Sequence, residues 1–380
     1  MRVAFVTNII PPYRKSFYYK LSQLSNIELL VVYGVQEKET GRPDAGNKVL
    51  FPFRTMRVRN VEKKVGRFLI RWQKGFKQAL SSFSPDTIIL LGISGTLSNW
   101  ILGFWARHRN IKVLMWSCGW ESQEKGTMAY FLKKLVMSVY YTIPHRMLVY
   151  STKAKQYMQA LGVEPGRIDV CYNGIEVDDF LSKEKEVVNK ASMLRKDEDV
   201  EQRTVFLYVG AMLLEKRVDL LLEAFAHVNR KVDRTYLWLV GDGPDLSFFK
   251  TKAEDLNLCN IRFWGRIIDD VDKFFAAADI FVLPGIGGLA LNQAMFWKTL
   301  CICSEADGTE DDLIIDGITG YRFMKGDVQS LTSTMFKALY EKGTEAGQKM
   351  AENSREIIMT RSNVDVMVET FGRNINLLNS

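Results

Sequence analysis

Residues 283–298 read LPGIGGLALNQAMFWK: a strand end, three glycines in four residues, then an apolar helical run without one acidic side chain. Gly285, Gly287 and Gly288 lack the Cβ that keeps a ligand off the backbone. With Leu289 they can bring peptide N–H groups at a helix start against a diphosphate. Close packing of a strand-to-helix turn is the alternative reason for glycine here. A second anion contact is offered by TNIIPPYRKSFYYKLS (7–22), where Arg14 follows Pro11, Pro12 and Tyr13 near a helix start. Its guanidinium could hold a phosphate through paired hydrogen bonds, or simply open the helix. A third constellation, MWSCGWES (115–122), sets Cys118, Gly119, Trp120 and Glu121 just beyond a strand, with Glu121 the nearest acid and a candidate base or acceptor contact.

Several kinds of chemistry are set aside by composition. The five cysteines, Cys118, Cys171, Cys259, Cys301 and Cys303, show no C-x-x-C spacing, and His108, His145 and His227 are scattered. A reducing cytosol and no structural metal or cofactor are expected. The net charge of +7 over 380 residues favours an anionic partner, but the basic residues form no nucleic-acid recognition motif, so no nucleic acid is expected. MRVAFVTNII reads as a buried first strand, since Thr7, Asn8 and the Pro-Pro that follows do not make a signal peptide. Residues 87–106 carry no charge, yet Gly92, Ser94, Gly95, Thr96, Ser98 and Asn99 break the run into strand, turn and helix, so no span is predicted.

These residues need elements that end beside one another. Short apolar runs alternate with longer helical patterns, the pattern of parallel sheets with crossover helices. In the first half, strands are expected at 2–7, 28–33, 87–91, 112–116, 146–150 and 168–171, with helices at 14–24, 67–82, 96–108, 126–140 and 152–161. Residues 181–203 are charge-dense with little core-forming pattern and read as a linker. The alternation then restarts with TVFLYVG, a helix at 217–230, TYLWLVG, a helix at 245–256, NIRFWG, a helix at 269–277, DIFVLPG, a helix at 288–298, LCICS and a last strand near 320–323, and 328–378 is helical. The expected fold class is α/β, two doubly wound domains in tandem at 1–180 and 204–357. A C-terminal helix at 358–380 is expected to return to the first domain. In such sheets ligands bind beyond the carboxyl ends of the strands.

Over 207–323 the pieces LYVGAMLLEKRVDLLLEAF, LVGDGP, IRFWGRI, AAADIFVLPG and DGITGYRF occur in that order. Together they resemble the donor-binding domain of the GT-B glycosyltransferases, most closely the family-4 (group 1) retaining enzymes. The first half is similar in outline only, through residues 150–176 and a Pro-Pro-Tyr-Arg first loop found in some members. The resemblance implies two Rossmann-like domains facing across a cleft. It also implies transfer of a sugar from a nucleotide-diphosphate donor to a glycan or lipid-linked acceptor, without a metal. Front-side attack is implied, with the donor phosphate taking the acceptor proton. The setting implied is bacterial surface polysaccharide assembly in the cytoplasm, at the inner face of the membrane.

Residue by residue, the resemblance places Lys216 on the donor diphosphate, where a cation would offset charge on the leaving group. It places Gly210 and Met212 beside the donor, Gly265, Arg266 and Ile267 at the nucleobase edge, and Gln293 at the ribose. Tyr13, Arg14, Gly119 and Trp120 fall on the acceptor side. This chain departs from the pattern at several points. Gly285 and Gln293 stand where members carry two glutamates, Ala211 or Met212 where they carry an arginine, and Cys118 where they carry a histidine. Arg217 is no simple substitute for that arginine, because one helical step turns a side chain by about 100°. Cys118 reads either as a buried small residue or as a chemical group. In DGTEDD (307–312), Thr309 or Asp307 is expected to cap a helix, with catalysis by Glu310 the lesser reading. The departures keep a second class open, a sugar-nucleotide-binding scaffold of weak activity, and a nucleotide-sugar epimerase is a third. Finally, RFLIRWQKGFKQAL (67–80) and YFLKKLVMSVYY (130–141) mix aromatic and basic residues at helical spacing, as helices on an anionic membrane do, although most such helices face their own core.

Overall fold

The computed structural model describes residues 1–35, 50–65, 68–119, 128–306 and 308–380. Two compact units result, Met1–Glu176 with Val364–Ser380, and Val177–Asn363. The first is built on β1 (Arg2–Thr7), β2 (Glu28–Val35), β3 (Thr55–Val65), β4 (Phe68–Lys74), β5 (Thr87–Leu91), β6 (Lys112–Ser117), β7 (Arg146–Val149) and β8 (Ile168–Val170). Their order is β4-β3-β2-β1-β5-β6-β7-β8. The neighbouring pairs are parallel except β3–β4, which is antiparallel. Helices α1 (Lys15–Ser22), α2 (Phe76–Phe83), α3 (Leu97–His108), α4 (Met128–Tyr140) and α5 (Thr152–Ala160) connect them.

The helix expected at 67–82 is not there. Residues 68–74 form β4, the edge of the sheet, and the helix begins only at Phe76, after Gly75 at φ 94°. An edge strand exposes polar side chains on both sides of its pleat, so its apolar residues need not alternate strictly. Its partner β3, TMRVRNVEKKV, was not expected at all, because only Val58 of its described side chains is fully buried and charge hides the period of two.

The second unit carries β9 (Thr204–Val209), β10 (Thr235–Val240), β11 (Ile261–Gly265), β12 (Ile280–Leu283), β13 (Leu300–Cys303) and β14 (Tyr321–Arg322), in the order β11-β10-β9-β12-β13-β14 and parallel throughout. Strands β12 and β13 are buried along their whole length, as a parallel sheet covered on both faces requires. The helices are α6 (Val177–Asp197), α7 (Val218–Lys231), α8 (Leu246–Asp255), α9 (Asp272–Ala277), α10 (Ala290–Phe296), α11 (Thr309–Leu313), α12 (Val328–Glu341) and α13 (Glu345–Thr360).

Most of the stretch expected as a linker, 181–203, belongs to α6. A narrow stripe of Val187, Ala191 and Leu194 is buried within an otherwise charged sequence. Asp178 and Asp179 in the first turn and Arg195 and Lys196 in the last suit the helix dipole. Arg195 then donates to the Ala277 carbonyl at 2.6 Å and reaches Asp279 at 3.2 Å, and Lys190 pairs with Asp270 at 2.8 Å. Polar ties of this kind leave no hydrophobic signature in the sequence.

The last helix, α14 (Val364–Asn379), belongs to the first unit. Phe371 packs against Phe5, Phe17 and Trp116, and Asn374 links Arg146 and Asp169 at 2.7 and 2.9 Å. Among the described residues no helix is long and apolar enough to cross a membrane.

Candidate functional site

In the second sheet the chain runs outward from β9 through β10 to β11, then returns to place β12 on the other side of β9. The strand order reverses between β9 and β12, so the loops that follow them flank the crevice where such sheets hold ligands. Lys216 lies in the first loop, at the end of the 3-10 turn Leu214–Lys216. Its ammonium donates to the carbonyls of Ile286 at 2.8 Å and Gly287 at 3.0 Å, in the second loop. The approach is so close that a Cβ on Gly285 would lie 2.7 Å from the carbonyl oxygens of Glu215 and Lys216. Glycine at 285 is therefore required by packing of one loop on the other.

Gly287 is hemmed in differently. A Cβ there would fall 2.7 Å from the Glu310 carboxylate, itself almost wholly buried at 1% exposure, whereas a Cβ on Gly288 would point into open space. Among the described residues, no hydrogen bond uses the N–H of Gly287, Gly288 or Leu289. Lys216 and three peptide N–H groups thus belong to the loops beside the crevice, with Lys216 on the carbonyl ends of the 286–287 and 287–288 peptides and their N–H groups turned to the opposite side. Peptide N–H groups without acceptors and a nearby positive charge both favour an anion.

Residues 190–357 match the family model of the glycosyl transferases group 1. The fold as a whole is that of the GT-B glycosyltransferases, two Rossmann-like parallel-sheet units. The crystal structure of Anabaena HepE in complex with UDP aligns over 99% of this chain and 100% of that one, with a TM-score of 0.75 at 15% identity. Sucrose-phosphate synthase from Thermosynechococcus elongatus aligns over 100% and 99%, with a TM-score of 0.76 at 16% identity. In sequence, the chain is 25% identical to the lipopolysaccharide 1,6-galactosyltransferase of Escherichia coli K12 over 208 residues, 52% of this chain and 53% of that protein. It is 22% identical to an uncharacterized glycosyltransferase of Methanocaldococcus jannaschii over 210 residues, 53% and 50% of the two chains. The chain spans about half the length of the curated relatives it matches.

The other donor-side positions divide into backbone and side-chain cases. Gly210 donates its N–H to the Val240 carbonyl at 3.0 Å, and Gly241, at φ 142°, has no room for a Cβ because the Gly210 carbonyl oxygen would be 1.8 Å away. The glycines of VGDGP are thus explained by the loop after β10 resting on the loop after β9. Met212 turns its side chain into the core of the unit. It is fully buried there, its N–H donates to Asp242, and its carbonyl accepts from Asp245. Gly265, at φ 69°, ends β11 with nothing near its missing Cβ, while Arg266 beside it is exposed and Ile267 half-buried. Gln293 is half-buried on α10. Arg217 adopts a left-handed conformation (φ 56°) and turns its guanidinium onto Asp219 at 3.2–3.3 Å.

Expectations for 307–312 change as well. Gly308, at φ 88°, holds the N-cap position of α11 and Thr309 is its first residue, so Thr309 is not the cap. Asp307 lies outside the described residues. Glu310, buried beside Gly287, was weighed in the sequence only as a minor catalytic acid. Its burial under the glycine loop has no signal in a charged, helix-opening stretch. Burial holds the Cys303 thiol far above its ordinary value, and Glu310 adds to that.

In the first unit, Arg14 is buried, with 5% of its surface exposed. Its guanidinium donates to Asn173 at 2.6 Å and lies 4.4 Å from the centre of the Trp116 ring, while Met367 of α14 sits 3.5 Å away. Arg14 therefore ties the first loop to α14 and to the segment after β8. Tyr13 is 53% exposed. Cys118 is exposed, against its reading as a buried small residue. Gly119 is buried at φ 63° with the Met158 methyl 2.6 Å from where a Cβ would be, which makes it a packed turn. Trp120 and Glu121 lie outside the described residues.

Proposed function

We propose that the protein is a retaining, metal-independent glycosyltransferase that moves a sugar from a nucleotide-diphosphate donor to a glycan or lipid-linked acceptor in bacterial surface polysaccharide assembly. The observation that carries this reading is the Lys216 ammonium held on the Ile286 and Gly287 carbonyls, in the same loop whose Gly287, Gly288 and Leu289 N–H groups make no hydrogen bond among the described residues. The acceptor hydroxyl attacks the anomeric carbon, the bond from that carbon to the diphosphate oxygen breaks, and the hydroxyl proton passes to the departing diphosphate. Lys216 and the three amides stabilise the negative charge that develops there, which is where catalysis of such a step gains most. The rest of the site positions the two substrates.

A uridine diphosphate sugar is the first donor to try, because HepE has been crystallised with UDP-glucose. A guanosine donor comes next, since a Mycolicibacterium smegmatis relative is a GDP-mannose-dependent mannosyltransferase, 25% identical over 144 residues. Readout of the base edge by the backbone at 265–267 is compatible with either. The lipopolysaccharide and phosphatidylinositol mannoside acceptors of the relatives support a lipid-linked acceptor. Release of nucleoside diphosphate from a panel of donors and lipid-linked glycans tests the reading. Turnover that survives a chelator and is lost in Lys216→Ala is expected. Tight nucleotide binding with no turnover on any acceptor points instead to the scaffold.

A further inference from the structure

The first unit carries an apolar face that its own core does not use. Helix α4 buries Met137 and Tyr140 but exposes Leu132, Leu135, Val136 and Val139, one continuous stripe of a 3.6-residue helix; Leu135 is 64% exposed and Val139 48%. Beside it, α3 exposes Ile101 and Phe104. The two helices are neighbours. The Trp100 and Tyr140 rings lie 4.6 Å apart, and a Cβ on Gly103 would be 2.3 Å from Ile143, just past the end of α4. Apolar side chains on adjacent helices of a folded unit, exposed together, mark a surface that something covers.

Charge decides what. Helices α2, α3 and α4 contain no aspartate or glutamate, and from Thr87 to Val163 nine lysines and arginines stand against two glutamates. Lys77, Arg107 and Lys134 on these helices are exposed. A second copy of the chain would bring these cations together with no acids on the three helices to offset them, which is unfavourable at short range. Phosphate headgroups offer the opposite charge, and the boundary beneath them takes up apolar side chains. We propose that the α3–α4 face docks the protein on an anionic lipid bilayer. Helix α4, too short to cross, lies along the surface, with its aliphatic stripe in the acyl boundary and the cations at headgroup level. The proposal does not depend on which sugar is moved.

Sedimentation of the full-length protein with vesicles tests it, using phosphatidylcholine alone and phosphatidylcholine mixed with phosphatidylglycerol. The protein is expected to pellet with the mixed vesicles, much less with the neutral ones, and progressively less as salt is raised. The triple variant Leu132→Gln, Leu135→Gln, Val139→Gln alters exposed positions only, so its melting temperature stays that of the parent while its partition coefficient falls by about a hundredfold. Lys134→Glu alone weakens binding to mixed vesicles and leaves the weak binding to neutral ones unchanged. Equal partition of parent and triple variant overturns the proposal, as does a parent that stays in solution with both vesicles. So does a parent that is a dimer by light scattering and ignores vesicles while the triple variant is monomeric, in which case a second copy covers the face.

Discussion

The Lys216 ammonium is held 3.0 Å from the carbonyl oxygen of Gly287, so the loop after β9 and the loop after β12 are fastened together where the strand order reverses. The cation is thereby fixed against the glycine stretch through its carbonyls. Preorganisation of this kind lets positive charge act on a diphosphate without rearrangement at the moment of reaction.

The glycines of that loop are not equivalent, and alanine separates them. Gly285→Ala places a methyl 2.7 Å from the Lys216 backbone, which must move. A loss of about 1–3 kcal/mol in stability is expected, together with weaker nucleotide binding, because the lysine moves with its loop. Gly288→Ala has open space for its methyl and is expected to melt like the parent. It blocks close approach of a phosphate to the amides, so its nucleotide-induced rise in melting temperature shrinks. Melting curves with and without nucleotide read both effects.

Gln293, which the family resemblance sets at the donor ribose, is half-buried on α10. An amide accepts a hydroxyl hydrogen bond less strongly than a carboxylate. Gln293→Ala is expected to raise the donor KM by about tenfold, the worth of one hydrogen bond, with a smaller change in kcat. Gln293→Glu is expected to lower KM. Initial rates at varied donor concentration decide the matter, and an unchanged KM in both variants removes Gln293 from the donor site.

His145 makes the first unit sensitive to acid. Its Nδ1 accepts the Val113 N–H at 3.0 Å. Burial, then the nearby Arg107, Lys112 and Arg167, lowers its pKa from 6.5 to about 4. The folded protein therefore resists protonation that the unfolded chain accepts. The stability this group contributes is present above pH 6.5 and is lost as the pH falls from 6.5 to about 4. Discounted for its partial exposure, the loss is on the order of 1 kcal/mol. Denaturation of the parent and of His145→Asn across that range measures it; the variant's curve is expected to fall less steeply.

The second sheet was more legible in the sequence than the first. Strands such as TVFLYV and IFVL are buried on both faces and read as unbroken apolar runs. At the rim of the first sheet the pattern fails. In β3, Val58 points inward between exposed Arg57 and Arg59, and β4 mixes Arg71, Gln73 and Lys74 with Ile70 and Trp72. In the site, Gly285 shows the close packing that the sequence offered as the alternative reason for glycine. The partner of that packing, the Glu215–Lys216 backbone, lies seventy residues away in sequence and leaves no local trace. Arg14 and Met212 both follow strand ends, where chemistry is expected, yet both are buried by contacts that the strand ends do not reveal.

The central claim, that Lys216 and the glycine amides form a diphosphate site, is tested most directly by thermal unfolding of the parent and of Lys216→Ala with uridine and guanosine diphosphate sugars. At least one nucleotide is expected to raise the melting temperature of the parent. Lys216→Ala, folded and melting near the parent without ligand, is expected to show little or none of that rise. A parent that no nucleotide stabilises, or a Lys216→Ala variant stabilised as much as the parent, contradicts it.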